Sequence, residues 1–342
     1  MPISSEKRET IKRYVLEHID SKDKDFVSKT ADTFSISRTT IYNYVSKMEK
    51  EGIITKSSDG NGKYQLVKNR FVFSYPRSLR LEEDKIYSRD IRPLLCELPK
   101  NVQDIWYYVF TEMMNNAIEH SEGTTIQCMV VKNHLYSEIA ILDDGIGIFR
   151  KIQAFYKNEH DEEISLDEAV DALFPGKLTT SRENHSGEGI FFSSRAVDWF
   201  VIQSDNKIFS HNSLKDFRMD NRSPQKRGTF VLMRLSNSSS KQVKDVFDMF
   251  TDPNRGFFKT HIPISHIYAN GYPVSRSEAR RLGSFVQDFE EVTLDFSGVE
   301  QLGQAFTHEL FVVFQRAHPE IKLSIENANS AVDAMIRRVI NT

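Results

Sequence analysis

Three polar side chains, Glu112, Asn116 and His120, recur at intervals of four among apolar neighbours that include Phe110, Met113 and Ala117. In an α-helix this spacing places a carboxylate, an amide and an imidazole on one face. A helix with apolar neighbours needs such a stripe only where it faces something polar. The pattern therefore predicts a helix whose polar face meets a hydrated metal bound to phosphate.

Two glycine-containing motifs follow this helix. Asp143-Asp-Gly145-Ile-Gly147 comes after an alternating strand pattern, and Gly187-Glu-Gly189 opens a predicted helix. A carboxylate at a strand end can accept a hydrogen bond from the exocyclic amine of adenine, and glycines let the backbone pass close to the base. Glycine amides at a helix N-terminus form an anion cradle. Together the three motifs predict a nucleotide pocket.

In this order and at these separations the motifs resemble those of the Bergerat-fold (GHKL, histidine-kinase-like) ATPases, over about residues 80–236. The resemblance implies that ATP and Mg²⁺ bind and that Glu112 is the catalytic base. The oxygen of Asn116 would ligate Mg²⁺, which prefers hard oxygen ligands. The full set of nucleotide-binding residues that we expect is Asn116, His120, Asp143, Gly145, Gly147, Lys177, Gly187, Gly189 and Thr229.

A long polar insertion between Phe149 and Ser186 occupies the position of the lid in that family. We expect a mobile loop here, because long loops inside a domain are usually functional or mobile. Lys177 and Arg182 are the cations that we expect to reach a γ-phosphate. Glu188 departs from the family pattern, which usually has Leu or a small residue at this position.

Residues 1–70 are predicted to form three helices and a β-hairpin, with Ser37 capping the third helix and Gly52 ending it. This arrangement resembles the winged helix-turn-helix of bacterial transcription regulators. The segment contains 14 Lys and Arg against 10 Asp and Glu, with the excess after Ser37. The alternative that this winged helix contacts proteins and not DNA is not excluded by the sequence. The residues expected to face DNA are Ser37, Arg38, Thr39, Tyr42, Asn43, Lys47 and Lys63.

Residues 71–99 are expected to connect the modules. Regular secondary structure is expected to be interrupted at Tyr75-Pro76, and a helix from Leu81 to Leu98 is expected to be interrupted at Pro93. The last segment, from about 241, is predicted to alternate strands and helices: Glu291–Phe296, Gln304–Ala317, Glu320–Ile325 and Asn327–Asn341.

The run from Leu294 to Phe306 resembles STAS domains, in which Asp-Ser-Ser-Gly at a helix start carries a phosphorylated serine. Here Gly303-Gln-Ala-Phe306 stands at that place, so the acceptor is absent. Thr307 is a possible substitute acceptor, on what we expect to be a helix surface. The segment better matches the STAS-like domain of unknown function found after such ATPase domains, and we expect it to dock a protein partner.

Composition bounds these expectations. The chain has 342 residues, of which 27% are charged and 39% hydrophobic, and its net charge is −3. No apolar run approaches the ~18 residues of a membrane span, and the N-terminal residues lack the apolar core of a signal peptide. Two isolated cysteines suit a reducing compartment. A cytoplasmic protein that does not contact membranes is expected.

The expected fold class is multidomain α/β (α+β). It comprises a winged helix at 1–70, a Bergerat-fold α/β sandwich at 71–240 and a small STAS-like α/β domain at 241–342. The function expected first is an ATP-responsive, DNA-binding transcription regulator, in which ATP–Mg²⁺ orders the lid and alters dimerisation or docking.

Two other functions stay open: a serine/threonine kinase or slow ATPase acting on a separate partner, and a structural adaptor with an unused pocket. A sensor histidine kinase is disfavoured, since no dimerising helical pair with an acceptor histidine precedes residue 100. Homodimerisation also stays open.

Overall fold

A computed structural model describes residues 4–57, 63–78, 80–178, 187–211, 227–268 and 272–341. The chain has a mixed α/β architecture with several sheets. In the described ranges no helix has the length and apolar character needed to cross a membrane.

The N-terminal part is built from three helices and a short hairpin. Its elements are α1 Ser5–Asp20, α2 Phe26–Phe34, α3 Arg38–Lys50, β1 Ile54–Lys56 and β2 Tyr64–Leu66. Ser37 caps α3 through its hydroxyl, which accepts a hydrogen bond from Thr40 N at 3.1 Å. Gly52 follows the helix with φ +71°. Both of these local predictions are confirmed. Apolar residues of the three helices and the hairpin form a hydrophobic cluster of their own.

The central part is organised around a six-stranded antiparallel sheet with the order β3-β4-β5-β8-β6-β7. Its strands are β3 Asn69–Pro76, β4 Thr125–Lys132, β5 Tyr136–Asp143, β6 Trp199–Ser204, β7 Lys207–Ser210 and β8 Thr229–Ser236. The expected interruption of secondary structure at Tyr75-Pro76 is wrong, because these residues pair with Ile126 and Thr125 as the end of β3. An edge strand tolerates proline because one side of its backbone needs no ladder donor.

Helices cover one face of this sheet. They are α4 Glu83–Ile86, which continues through a π turn at Tyr87–Ile91 into α5 Arg92–Leu95, then α6 Lys100–His120, α7 Ile148–His160, α8 Leu166–Asp171 and α9 Gly189–Ala196. The hydrophobic side of α6 is fully buried, with Trp106 and Phe110 at its centre. This burial places the opposite, polar side of α6 at the predicted site.

The expectation of a long polar loop at 149–186 is wrong for much of its length. Helix α7 begins directly after Gly147 and buries Phe149 and Ile152, which lie one turn apart. Helix α8 begins with a capping box between Ser165 and Glu168. The apolar residues at helical spacing outweigh the polar ones between them. Arg182 lies outside the described residues.

The C-terminal part contains a three-stranded parallel sheet, β11-β12-β13, flanked by helices. Its elements are α10 Val243–Asp248, β9 Thr251–Asp252, β10 Gly256–Phe257, β11 Lys259–Pro263, α11 Ile264–Ile267, α12 Arg276–Val286, β12 Glu291–Asp295, α13 Gln304–His308 continuing through a π turn at Glu309–Phe314 into α14 Gln315–Ala317, β13 Lys322–Glu326 and α15 Ser330–Ile340. The four predicted elements of this segment are present. Strand β11 and helix α12 were not predicted.

One hydrophobic cluster extends from the central part into the C-terminal part. Two phenylalanines of α9 carry this contact: the ring centroids of Phe191 and Phe192 lie 4.7 and 5.1 Å from that of Phe257. Arg195, one turn later, donates to His261 O of β11 at 3.2 Å. Helix α9 therefore packs against both parts of the molecule.

Candidate functional site

A cavity of about 260 Å³ lies between α6, the sheet and the start of α9. Most of the residues expected at the nucleotide site, including the expected catalytic base, line it, although they come from four separate segments of the chain. These residues are Glu112, Asn116, His120, Asp143, Gly147, Gly187, Gly189 and Thr229. Motifs separated by more than a hundred residues in the sequence thus meet around one space.

The polar stripe of α6 faces the cavity, as its spacing predicted. Glu112, Asn116 and His120 line it together with Met113 and Ala117, while the opposite side of the helix is buried. Glu112 lies close to the third motif: a Cβ added to Gly189 would lie 2.2 Å from Glu112 Oε2. A glycine at position 189 therefore leaves room for the Glu112 carboxylate at the N-terminus of α9.

The carboxylate of Asp143 is held at the end of β5. Asp143 is 4% exposed, and its Oδ1 accepts hydrogen bonds from Gly145 N at 2.9 Å and Thr229 N at 3.1 Å. Burial raises the pKa of Asp143, and these two amides oppose the rise. Its first oxygen is fixed by protein donors, so the carboxylate has a defined orientation beside the cavity.

The neighbouring Asp144 has a different role. Its carboxylate accepts hydrogen bonds from Thr124 N, Thr124 Oγ1 and Thr125 N. The Thr124 hydroxyl is the largest cause of a lowered Asp144 pKa. Asp144 therefore fixes the loop before β4, whereas Asp143 lines the cavity.

Thr229 connects Asp143 to helix α7. Its amide donates to Asp143, and its Oγ1 accepts a hydrogen bond from Ile148 N at 3.0 Å. The preceding Gly228 has φ +79°, and a Cβ there would lie 1.9 Å from Asp143 O. Only glycine fits between the strand ends at this point.

Two predicted nucleotide-binding residues are placed differently from the rest. Gly145 packs against the backbone, where an added Cβ would lie 1.8 Å from Ser121 O, so it supports the motif from behind. Lys177 points to the C-terminal part: its Nζ donates to Asp288 O at 2.6 Å and lies 4.4 Å from the Phe289 ring centroid. Lys177 does not line the cavity, and its contact with a phosphate stays a prediction.

Lys151 is a lining cation that the motifs did not reveal. It lies one turn after Gly147 on α7, and its ammonium forms an ion pair with Glu122. Lys151 lies four residues after Gly147, which is one helical turn. It was not predicted from the sequence because that segment was expected to be a loop. Apolar residues from several elements complete the wall: Ile141, Ile148, Ile152, Leu173, Leu178, Ile190, Ile202 and Val231.

Two carboxylates, those of Glu112 and Glu188, act on Tyr108, which lies one turn before Glu112 on α6. Burial raises the pKa of Tyr108 above its usual range, and the carboxylates of Glu112 and Glu188 add to the rise. Glu188 is the residue before α9. Glu112 and Glu188 therefore act on the same buried phenol.

The residues expected to face DNA are exposed in the N-terminal part. They are Ser37, Arg38, Thr39, Tyr42, Asn43 and Lys47 on or before α3, and Lys63 directly before β2. Lys63 Nζ lies 5.6 Å from the ring centroid of Tyr42, which is 48% exposed. The hairpin therefore brings a cation beside the outer face of α3. Residues 58–62 of the hairpin tip lie outside the described residues.

Thr307 is not the surface residue that the sequence suggested. It is fully buried, and its hydroxyl donates to Gly303 O at 2.9 Å. A hydroxyl held inside the first turn of α13 is part of the packing of that helix and is closed to a phosphate donor.

Comparison with known protein families identifies the C-terminal segment. Residues 279–333 match the STAS-like domain of unknown function (DUF4325). The match extends from α12 to the start of α15 and covers β12 and β13. Residues 279–333 are therefore a STAS-like domain. No curated protein matches the chain.

Proposed function

We propose that the protein is an ATP-responsive DNA-binding transcription regulator with a Bergerat-type nucleotide site. The observation that carries this proposal is the meeting of Glu112, Asn116, Asp143 and Thr229 around one cavity. These residue types and their order along the chain are those of the Bergerat-fold ATPases.

Selection of adenine would rest on Asp143. An ionised carboxylate only accepts hydrogen bonds, and the exocyclic amine of adenine donates them. Guanine presents a carbonyl oxygen instead, which would lie against a second acceptor. The amides of Gly145 and Thr229 hold Asp143 in place. Because the carboxylate is already ordered, binding a base would cost little side-chain entropy.

The phosphates would lie between α6 and the start of α9. Gly187 and Gly189 line the cavity there, and Gly189 begins a helix whose first amides favour an anion. Asn116 supplies an oxygen of the kind that Mg²⁺ accepts, so the residues present fit the ion. Bound Mg²⁺ would neutralise phosphate charge.

A kinase or slow ATPase is the second candidate, and the position of Glu112 favours it. Its carboxylate lines the cavity next to Gly189, where it can accept a proton from a water or a substrate hydroxyl. Transfer of labelled γ-phosphate to a protein, lost in Glu112→Gln, would establish this activity. A regulator that only senses ATP would show no transfer.

DNA would be read by α3 and the hairpin. Arg38, Asn43 and Lys47 are exposed on α3, whose buried face packs on the N-terminal cluster. A helix held in this way can enter a major groove. Lys63 and the exposed Lys56 and Lys68 flank the hairpin, where they would contact phosphates.

Nucleotide binding would be transmitted to the C-terminal part through residues on both sides of the expected lid. Leu173 and Leu178 line the cavity, while Pro175 O between them accepts a hydrogen bond from Thr260 at 2.8 Å. On the other side Ile190 lines the cavity and Phe191 packs on Phe257. A change in the cavity would thus move residues that contact β10 and β11, and β11 pairs with β12 of the STAS-like domain. That domain would dock a protein partner.

The experiment is selection of DNA from random fragments by the full chain, followed by fluorescence anisotropy with and without ATP–Mg²⁺. We expect affinity for the selected DNA to change with ATP–Mg²⁺ in the wild type and to be insensitive to it in Asp143→Asn. Equal DNA binding by both proteins with and without ATP–Mg²⁺ would refute the proposed ATP response. If no DNA is selected, the proposed DNA-binding function is refuted.

A further inference from the structure

Strand β13 lies at the edge of the STAS-like sheet. Its residues 322–326 pair in parallel with β12, and within the described ranges no strand pairs with its other side. An edge strand presents unpaired N–H and C=O groups and is a template for a further strand.

The hydrogen bonds to β12 show which backbone groups face outward. Lys322 N donates to Glu290 O at 2.8 Å, and Phe296 N donates to Glu326 O at 3.0 Å. In a parallel ladder alternate residues direct both groups to the same neighbour. Lys322, Ser324 and Glu326 therefore bond to β12. Leu323 and Ile325 direct their N–H and C=O groups to the open edge.

The side chains of β13 alternate between two faces of the sheet. Leu323 and Ile325 lie on the face of Val292 and Leu294, with which they pair, and Ile325 is 42% exposed. Lys322, Ser324 and Glu326 lie on the opposite, polar face. The five residues thus form a short strand with a basic first residue, an acidic last residue and apolar residues at the second and fourth positions.

We propose that the open edge of β13 binds β13 of a second copy of this chain, antiparallel and centred on Ser324. In this register Leu323 is opposite Ile325 of the second copy. The two form a hydrogen-bonded pair through the outward backbone groups. The joined sheet has six strands, and the interface is isologous about a two-fold axis.

Charge complementarity selects this register. Lys322 is opposite Glu326 of the second copy, twice over by symmetry. Both pairs occupy non-hydrogen-bonded positions, where opposite side chains are closest. Moving the centre by one residue to Leu323 or Ile325 puts one of the charged residues opposite Ser324. A parallel, in-register pairing would put like charges side by side. The antiparallel register centred on Ser324 pairs both charges and both apolar residues.

This interface does not depend on nucleotide binding, so it can be tested without ATP. Sedimentation equilibrium of the full wild-type chain is expected to give about twice the monomer mass of 39.6 kDa. Lys322→Glu and Glu326→Lys each replace two attractive pairs by two repulsive ones, and each is expected to sediment as a monomer. Lys244→Glu, a charge reversal at an exposed position of α10, is the matched control and is expected to remain dimeric.

The decisive step is an equimolar mixture of the two single variants. In the mixed dimer a β13 with two acidic ends lies against a β13 with two basic ends. Both end pairs are then attractive again, so the mass of a dimer is expected to return. Circular dichroism of each variant checks that the fold is retained. A monomeric wild type across the micromolar range, dimers that ignore Lys322→Glu, or a mixture that stays monomeric with folded chains would each overturn the proposal.

Discussion

Asp143→Asn should exchange one base preference for another, because one carboxylate oxygen is already committed to the protein. Gly145 N and Thr229 N donate to Oδ1, so the amide oxygen of an asparagine would take that position. Its NH₂ group would then occupy the place of Oδ2 and present a donor to the base. Adenine, which also presents a donor, would lose its hydrogen bond.

The size of this loss follows from the kind of hydrogen bond. A hydrogen bond to a charged group contributes about 1.5–3 kcal/mol, which corresponds to a roughly 10- to 150-fold weaker affinity for ATP. Inosine triphosphate carries a carbonyl oxygen where adenine has its amine. It should therefore bind the variant more tightly than it binds the wild type.

Calorimetric titration of both proteins with ATP–Mg²⁺ and with inosine triphosphate–Mg²⁺ measures the exchange. Asp144→Asn is the matched control, because the Asp144 carboxylate bonds to Thr124 and Thr125 outside the cavity. It should bind ATP as the wild type does. An Asp143→Asn variant that binds ATP with unchanged affinity, or that is folded and loses both nucleotides equally, would refute the base-reading role.

Three further predictions concern stability. Burial raises the pKa of Asp171, which is 8% exposed, from 3.8 to about 7. The contribution of this carboxyl to stability is thus complete below pH 3.8 and lost as pH rises to 7. Asp171→Asn should therefore gain up to about 3 kcal/mol over the wild type between pH 5 and pH 8 in urea unfolding, and an equal difference at both values would contradict this. Ser37→Ala removes the cap of α3 and should cost about 1 kcal/mol of local stability, measured by hydrogen exchange of the α3 amides. The exposed Ser46→Ala is its control and should cause no loss. Gly145→Ala would press a methyl group onto Ser121 O and should lower stability by about 1–3 kcal/mol in urea unfolding. An unchanged midpoint would show that the loop can move.

The sequence predicted the parts of the fold that depend on local pattern. Helix α6, strand β5 and the cap at Ser37 follow from periodicity and capping chemistry over a few residues. The site residues of α6 and β5 were predictable because their spacing places them on known faces. Their meeting around one cavity follows from the fold.

Local pattern misled where tertiary context decided the outcome. Pro76 indicated a break, yet an edge strand accommodates it. Polar residues concealed α7, whose few apolar side chains are enough to bury one face. Lys177 contacts Asp288, more than a hundred residues away, and such a non-local partner leaves no sign in the neighbouring sequence.

The apolar wall of the cavity shows the same limit. Leu173, Ile190 and Ile202 come from the turn after α8, from α9 and from β6. Each resembles an ordinary core residue in its own segment. Their common position depends on the order of strands in the sheet, where β8 lies between β5 and β6. Sequence reasoning did not predict that order.

The central claim is that the cavity beside Asn116 and Asp143 binds ATP. Calorimetric titration of the wild-type chain with ATP, with and without Mg²⁺, tests it most directly. We predict one site per chain with micromolar affinity, weaker without Mg²⁺ and lost in Asn116→Ala when Mg²⁺ is present. A folded wild-type protein that releases no heat with ATP–Mg²⁺, and shows no shift of its thermal midpoint at saturating nucleotide, would contradict the claim.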